Sequence, residues 1–236
     1  MLEVTHTSTS AGNWGAGAAS TEGNIINIMA GPRGYTPIAP GAPGYYSGWS
    51  YWPVTKSLFD AIHFDPRYKY TIANLDSLKK NGIANYNDTQ GAQNTGYFIE
   101  KFLAKNENLP TGAGDRDLNW PQNMYDIRLA DTYLMEAEAL VMGGGDLTRA
   151  ANLINAVRAR VGLSPVAATM DNIKKERRLE LAGEGHRYFD LIRWGDAPAI
   201  LGPLGFVAGK NEILPIPLLE LSNTKLEQSK EWGGTK

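Results

Sequence analysis

Tyr125-Asp-Ile-Arg-Leu-Ala-Asp-Thr-Tyr-Leu-Met-Glu-Ala-Glu-Ala-Leu-Val141 places Ile127, Ala130, Leu134, Ala137 and Val141 at spacings of three and four residues, with Tyr133 and Leu140 widening the stripe. That period predicts an amphipathic helix over Tyr125–Val141. Gly143-Gly144-Gly145 stops it, and Asp146 is placed to cap a second helix in which Leu147, Ala150, Ile154, Val157 and Val161 repeat the period until Gly162. Two such helices joined by a tight turn make an αα-hairpin, and their alanines let the axes approach closely.

A single hairpin of this tetratricopeptide type cannot bury its own apolar face, so its stacking neighbours are expected outside this chain. Downstream, Thr169 or Asp171 can cap a third helix through Ile173, Glu176, Leu179 and Ala182, which Gly183 and Gly185 end. A fourth short helix is expected over Arg187–Trp194, with Tyr188, Leu191 and Ile192 on its apolar side. A Gly/Pro loop follows, Gly202–Gly209, and then Ile213-Leu-Pro-Ile-Pro217. Its alternating prolines lack the N–H groups of a ladder, so that segment should lie extended against a surface.

Upstream the period disappears. From Met1 to about Pro53 glycine and proline recur too often for helix, and Asn24–Ala30 reads as a short strand. Ser57–His63 reads as a short helix ending near Asp65-Pro66, and Tyr97–Leu103 as a strand within a polar stretch from Asn74 to Gln122. The expected fold is therefore mainly α, a tetratricopeptide-like hairpin with long irregular loops and little strand. It divides by composition into a loop-rich aromatic segment, residues 1–123, and a helical region, residues 124–236, packed as one compact unit.

Composition narrows the function. With 23 Lys+Arg against 25 Asp+Glu the net charge is −2, which offers no field for steering phosphates and excludes nucleic acid as a partner. The absence of cysteine removes disulfides, thiolate metal sites and thiol nucleophiles. His6, His63 and His186 form no short ligand motif, so neither metal nor cofactor is expected. No apolar run reaches the 18–20 or so residues that cross a bilayer. The opening MLEVTHTSTSAGNW lacks the basic and apolar regions of a signal peptide, so an exported protein would reach this form by processing.

Two stretches carry the remaining chemistry. In Glu176–Trp194 the acids Glu176, Glu180, Glu184 and Asp190 resemble glycosidase carboxylates, with Glu180 and Glu184 the natural pair. Arg177, Arg178, Arg187 and Arg193 are interleaved with them, however, and guanidinium groups hold carboxylates ionised where a general acid needs a raised pKa. Glu176, Arg177, Glu180, Glu184, Arg187, Asp190 and Arg193 therefore read as a structural salt-bridge lattice. Asp115 and Asp117 make only a fragment of a calcium loop, and Gly12–Gly17 has the glycines but not the lysine of a phosphate loop. Tyr45-Tyr-Ser-Gly-Trp-Ser-Tyr-Trp52 is more informative, because flat rings on glycine-jointed loops can stack on the apolar faces of sugars.

Ile127–Ala139, Leu153–Leu163, Glu176–Trp194 and Leu214-Pro-Ile-Pro217, in that order and at that spacing, resemble the C-terminal half of the SusD/RagB family. Trp52-Pro53 through Asp65-Pro-Arg67 resembles the segment that precedes the hairpin in that family. The resemblance implies a surface-exposed outer-membrane lipoprotein that binds oligosaccharides without cleaving them and closes over a SusC-like TonB-dependent transporter. It also implies that the lipid-bearing cysteine and most of the tetratricopeptide helices lie in an N-terminal half outside this chain. Gln228-Ser229 stands where the family usually has Gln-Asn. Chemistry and location select Trp49, Trp52, Tyr45, Tyr46 and Trp14 for stacking, with Arg33 and Asn13 as hydroxyl partners. Rival readings are a peptide cargo, a tetratricopeptide-type protein-interaction module and a glycoside hydrolase.

Overall fold

The computed structural model describes residues 1–16, 22–89, 93–222 and 224–234. They form two compact units, Met1–Gly183 and Glu184–Lys236. The break thus falls at Gly183, not at the change of composition near residue 124.

In the first unit strands are short and scattered. β1 (Leu2–Val4), β2 (Thr36–Pro37), β3 (Ile72–Asn74), β4 (Ala84–Asn85), β5 (Tyr97–Ile99) and β6 (Met124–Ile127) pair only as antiparallel two-stranded sheets, β1 with β6, β2 with β4 and β3 with β5. Helices α1 (Ile26–Ala30), α2 (Lys56–Ile62), α3 (Tyr68–Thr71) and α4 (Leu75–Lys80) are interspersed among them. Local chemistry sets where they start: the Thr55 hydroxyl accepts from Leu58 N–H at the head of α2, and the Asn74 side-chain oxygen Oδ1 from Ser77 N–H at the head of α4. Two expectations are corrected here. Asn24–Ala30 is not a strand, because the Asn24 side chain accepts from Ile26 N–H at 2.8 Å and turns the chain into α1. Tyr97–Leu103 is strand only to Ile99, after which Glu100–Phe102 tightens into a 3-10 turn.

α5 (Leu129–Met142), α6 (Leu147–Ala159) and α7 (Met170–Glu180) follow. α5 begins four residues later than its period predicts, since Met124–Ile127 is drawn into the ladder with β1 and Arg128 stays extended. The Asp146 carboxylate accepts from Thr148 and Arg149 N–H, and the Thr169 hydroxyl from Asn172 N–H, so both predicted caps are in place. Leu134 and Ala137 of α5 pack on Ala150, Ile154 and Val157 of α6 and Ile173 of α7, all fully buried or nearly so. A second core lies among the loops, around Tyr45, Val54, Ile62, Leu75, Phe98, Ile99 and Phe102. Leu179 belongs to this second core, so α7 has one apolar residue in each.

Between Ile173 and Leu179 the buried side chains of α7 are charged. Arg67 Nη1 donates to Glu176 Oε1 at 2.5 Å and to Glu180 Oε2 at 3.0 Å, while its Nε and Nη2 both reach Asp65 at 2.7 Å. Arg158 pairs with the other oxygen of Glu176 at 2.8 Å, and Arg128 with Glu180 Oε1 at 2.7 Å, where Arg160 also donates. Arg177 pairs with Asp131 of α5 at 2.7 Å. Burial alone would raise the Glu180 pKa, but the hydrogen bond and charge of Arg128, with Arg67 and Arg160, override it and lower it to about 2.

The second unit contains α8 (His186–Arg193), α9 (Ala197–Leu201) and α10 (Leu218–Leu221). Asp190 and Arg193, one helical turn apart in α8, pair at 2.8 Å. Ile216, held between two prolines, gives its N–H to Gln228 Oε1 (3.2 Å) and accepts from Gln228 Nε2 (3.0 Å), so one side-chain amide replaces a ladder partner for the extended segment.

Because Glu180 is buried among arginines, Glu180→Gln should lower unfolding free energy by about 3 kcal/mol, read from urea midpoints at pH 7. The folded carboxyl titrates near 2 against 4.5 ordinarily, so its contribution is complete above about pH 4.5 and is lost as pH falls from there towards 2. The stability difference between the two proteins should shrink over that window.

Candidate functional site

The site is built on the C-terminal end of α1. Gly48, Trp49, Ser50 and Tyr51 donate successive N–H groups to Pro32 O, Ile28 O, Gly31 O and Met29 O at 2.8–2.9 Å. This contact requires glycine: a Cβ on Gly48 would lie 2.4 Å from Ile28 O and 2.5 Å from Gly31 Cα. Ser50 is buried at φ +58°, an unusual conformation for a residue with a Cβ, and its hydroxyl accepts from Arg33 N–H at 2.8 Å.

Trp49 and Tyr51 flank Ser50, their ring centroids 5.9 Å apart at 66°. Trp14 lies 5.8 Å from Trp49 at 32°, and its backbone N–H donates to Asp115 Oδ2 at 2.9 Å. Trp14 and Tyr51 remain 55% and 49% exposed, so the three rings form an aromatic platform open to solvent. Beside it is a cleft of about 430 Å³ lined by Ile28, Arg33, Tyr46, Ser47, Trp49 and Asp117. Arg33 Nη2 donates to Trp49 O at 3.4 Å, while its buried Nε has no partner among the described residues. Burial, then the charge of Asp115, pushes the Asp117 carboxyl above its ordinary value against the pull of Arg116. The cleft therefore presents a cation, a carboxyl and a hydroxyl next to stacking rings.

Of the residues selected from the sequence, the structure gathers Trp14, Trp49, Tyr46 and Arg33. Tyr45 is removed from the set: it is buried edge-on against Tyr35, and its hydroxyl donates to Glu100 Oε2 at 2.5 Å, so neither ring face is available. Trp52 is exposed but packs towards Phe102, and it does not line the cleft. Asn13 is exposed beside Trp14 and also stays outside the lining. Tyr51 stands in the same aromatic run, but its place beside Trp49 had no local signal, because Ser50 between them is in the left-handed region. Asp117 had no local signal towards the aromatic segment. Trp14–Ala16 forms a 3-10 turn, and Gly17, the last glycine of that run, lies outside the described residues.

The ionic residues are distributed differently. Glu176, Arg177 and Glu180 are joined through Arg67, Arg128, Arg158, Arg160 and Asp131, whereas Asp190 pairs with Arg193 in the second unit. Glu184 and Arg187 lie half-buried between those two groups in sequence. Neither Glu176 nor Glu180 lines the aromatic cleft.

The model of the SusD family matches residues 27–234. The chain belongs to the SusD family. Among solved structures, a laminarin-binding SusD-like protein is 51% identical with a TM-score of 0.91, over 97% of this chain and 49% of that one. Surface glycan-binding protein A from Bacteroides thetaiotaomicron, solved in complex with laminarihexaose, is 29% identical with a TM-score of 0.82, over 97% of this chain and 51% of its own. SusD-like protein P38 from Formosa agariphila is 35% identical over an alignment 122 residues long that covers 45% of this chain and 24% of that protein. This SusD-family chain thus spans about half the length of the solved relatives and aligns with about a quarter of the curated one.

The platform's dependence on a glycine contact is measurable. Gly48→Ala should destabilise the protein by about 1–3 kcal/mol through overpacking and shift tryptophan emission. Gly44→Ala, where a Cβ meets nothing within 4 Å, should stay within about 0.5 kcal/mol of the parent. Urea titration followed by fluorescence reads both.

Proposed function

We propose that this chain binds a glycan without cleaving it, and that the Trp14–Trp49–Tyr51 platform with its cleft is the binding surface. The open platform carries the reading: rings tilted against one another follow a curved sugar chain, while Arg33, Asp117 and Ser47 meet its hydroxyls. The similarity to a laminarin-binding protein and to a laminarihexaose complex favours a β-glucan of the laminarin type as the cargo. Hydrolysis is disfavoured by chemistry. Glu180, held near pKa 2 and buried among arginines, is unsuited to the role of general acid, and it stands apart from the cleft.

In the longer protein that this family membership implies, the surface would present captured glycan at the outer membrane to a SusC-like TonB-dependent transporter. Attachment to that membrane would be through a lipid anchor. None of the helices in the described residues is long and apolar enough to cross a membrane.

Affinity-gel retardation in laminarin, with reducing ends assayed in the same samples, tests the proposal. The parent should be retarded with no new reducing ends. Trp49→Ala should weaken binding by roughly tenfold, and Trp14→Ala with Trp49→Ala should abolish retardation while leaving the far-ultraviolet helical signal unchanged. Undiminished retardation of the double variant would place the surface elsewhere, and new reducing ends would make the protein an enzyme.

A further inference from the structure

Trp14 comes to the platform on a segment with no regular structure of its own before the 3-10 turn that the residue opens. That segment is laid against residues 111–119. Thr111 and Gly112 N–H donate to Ser8 O at 2.9 and 2.8 Å, Gly114 N–H to Ser10 O at 3.2 Å, and Asp115 N–H to Gly12 O at 2.9 Å. The buried Asn119 adds a side-chain tie, its Nδ2 donating to Gly12 O at 3.0 Å and to Asp115 O at 2.7 Å. The two segments approach too closely for a side chain at Gly114, where a Cβ would lie 2.3 Å from Gly12 O.

These ties end at Gly12. Two residues further on the attachment passes to a side chain, with Asp115 Oδ2 accepting the Trp14 backbone N–H across 101 residues of sequence. The Trp14 ring is 55% exposed, so burial contributes little to fixing it, and its ring partner is Trp49. A bond to the backbone holds the residue while leaving the ring free for a ligand. Holding it matters for affinity, because a ring that must be ordered on binding costs entropy that a ring already in place does not.

Asp115 is not among the residues that line the cleft, whereas Asp117, two positions later in the same loop, is. Asp115 can therefore act on a ligand at the platform by two routes other than contact, through Trp14 by its hydrogen bond and through Asp117 by its charge. The two are separable. An asparagine at position 115 keeps a side-chain oxygen that accepts and loses the charge, and an alanine loses both. Neither touches the Asp115 N–H and C=O that hold Gly12 and Asn119.

We propose that Asp115 is a positioning residue of the binding surface, its Oδ2 fixing the Trp14 backbone so that the indole stands ready against Trp49. The consequence for glycan affinity rests on the platform reading above; the hold on Trp14 does not.

Two measurements test the two parts separately. In 15N-labelled protein without ligand, the Trp14 indole resonance, assigned by its loss in Trp14→Ala, should show a lower heteronuclear NOE in Asp115→Ala and an unchanged one in Asp115→Asn. An unchanged value in Asp115→Ala would overturn the proposal. Laminarihexaose titrations should give about threefold to tenfold weaker binding for Asp115→Ala and a value within about twofold of the parent for Asp115→Asn. In the Trp14→Ala background, adding Asp115→Ala should change binding no further, the coupling expected when one residue acts through another. Equal losses in Asp115→Asn and Asp115→Ala would make charge on Asp117 the route and overturn the positioning role, as would a loss that persists without Trp14. If Asp115→Ala loosens Trp14 while Trp14→Ala binds laminarihexaose like the parent, the hold of Asp115 on Trp14 is supported and the platform is overturned as the glycan surface.

Discussion

The first unit depends on the way Arg67 reaches α7. This guanidinium, brought by the turn between α2 and α3, is the group that Asp65, Glu176 and Glu180 share. It joins the loop-rich part of the chain to the helices across 109 residues of sequence. Ion pairs this buried are weak evidence of net stability, because the desolvation of each charge offsets most of the attraction. Their effect is on specificity: α7 can enter the space between the two cores only in the register that lets each carboxylate meet its arginines. Any other register would strand a buried charge.

That constraint leaves the loops free of the task of joining the unit. The aromatic segment is instead attached chiefly through its backbone, with four consecutive N–H groups on the end of α1 and a glycine-to-glycine approach too close for any side chain. Attachment through main-chain groups leaves the side chains of Trp49 and Tyr51 uncommitted, so rings that ordinarily fill a core remain at the surface. Tyr45, four residues before Trp49 in the same aromatic run, shows the alternative, since its hydroxyl and both its faces are used internally. Position relative to α1, and not residue type, separates an exposed ring from a packing ring.

Much of the helical region was legible because its signals are local. The caps at Asp146 and Thr169 act on N–H groups two or three residues away, and the apolar period of α5 and α6 states which face is buried. The errors came where a distant partner prevailed over the local pattern. Tyr125–Ile127 opens the helical period yet pairs with β1, and Ile25-Ile26-Asn27-Ile28 has strand-like residues yet turns into a helix after Asn24. The interleaving of acids and arginines in α7 indicated ion pairing, but nothing near them named Arg67 or Arg128 as the partners.

The sequence by itself determined the helical hairpin, its caps, the lack of a phosphate-seeking field and the supply of aromatic rings on glycine-rich loops, because each depends on neighbours within a few residues or on composition. Only the tertiary structure decided which rings are exposed and that Asp117 joins Trp49 and Arg33 at one cleft. Those outcomes follow from contacts between segments tens of residues apart, and the burial, pairing and orientation of a side chain exist only once such contacts have formed.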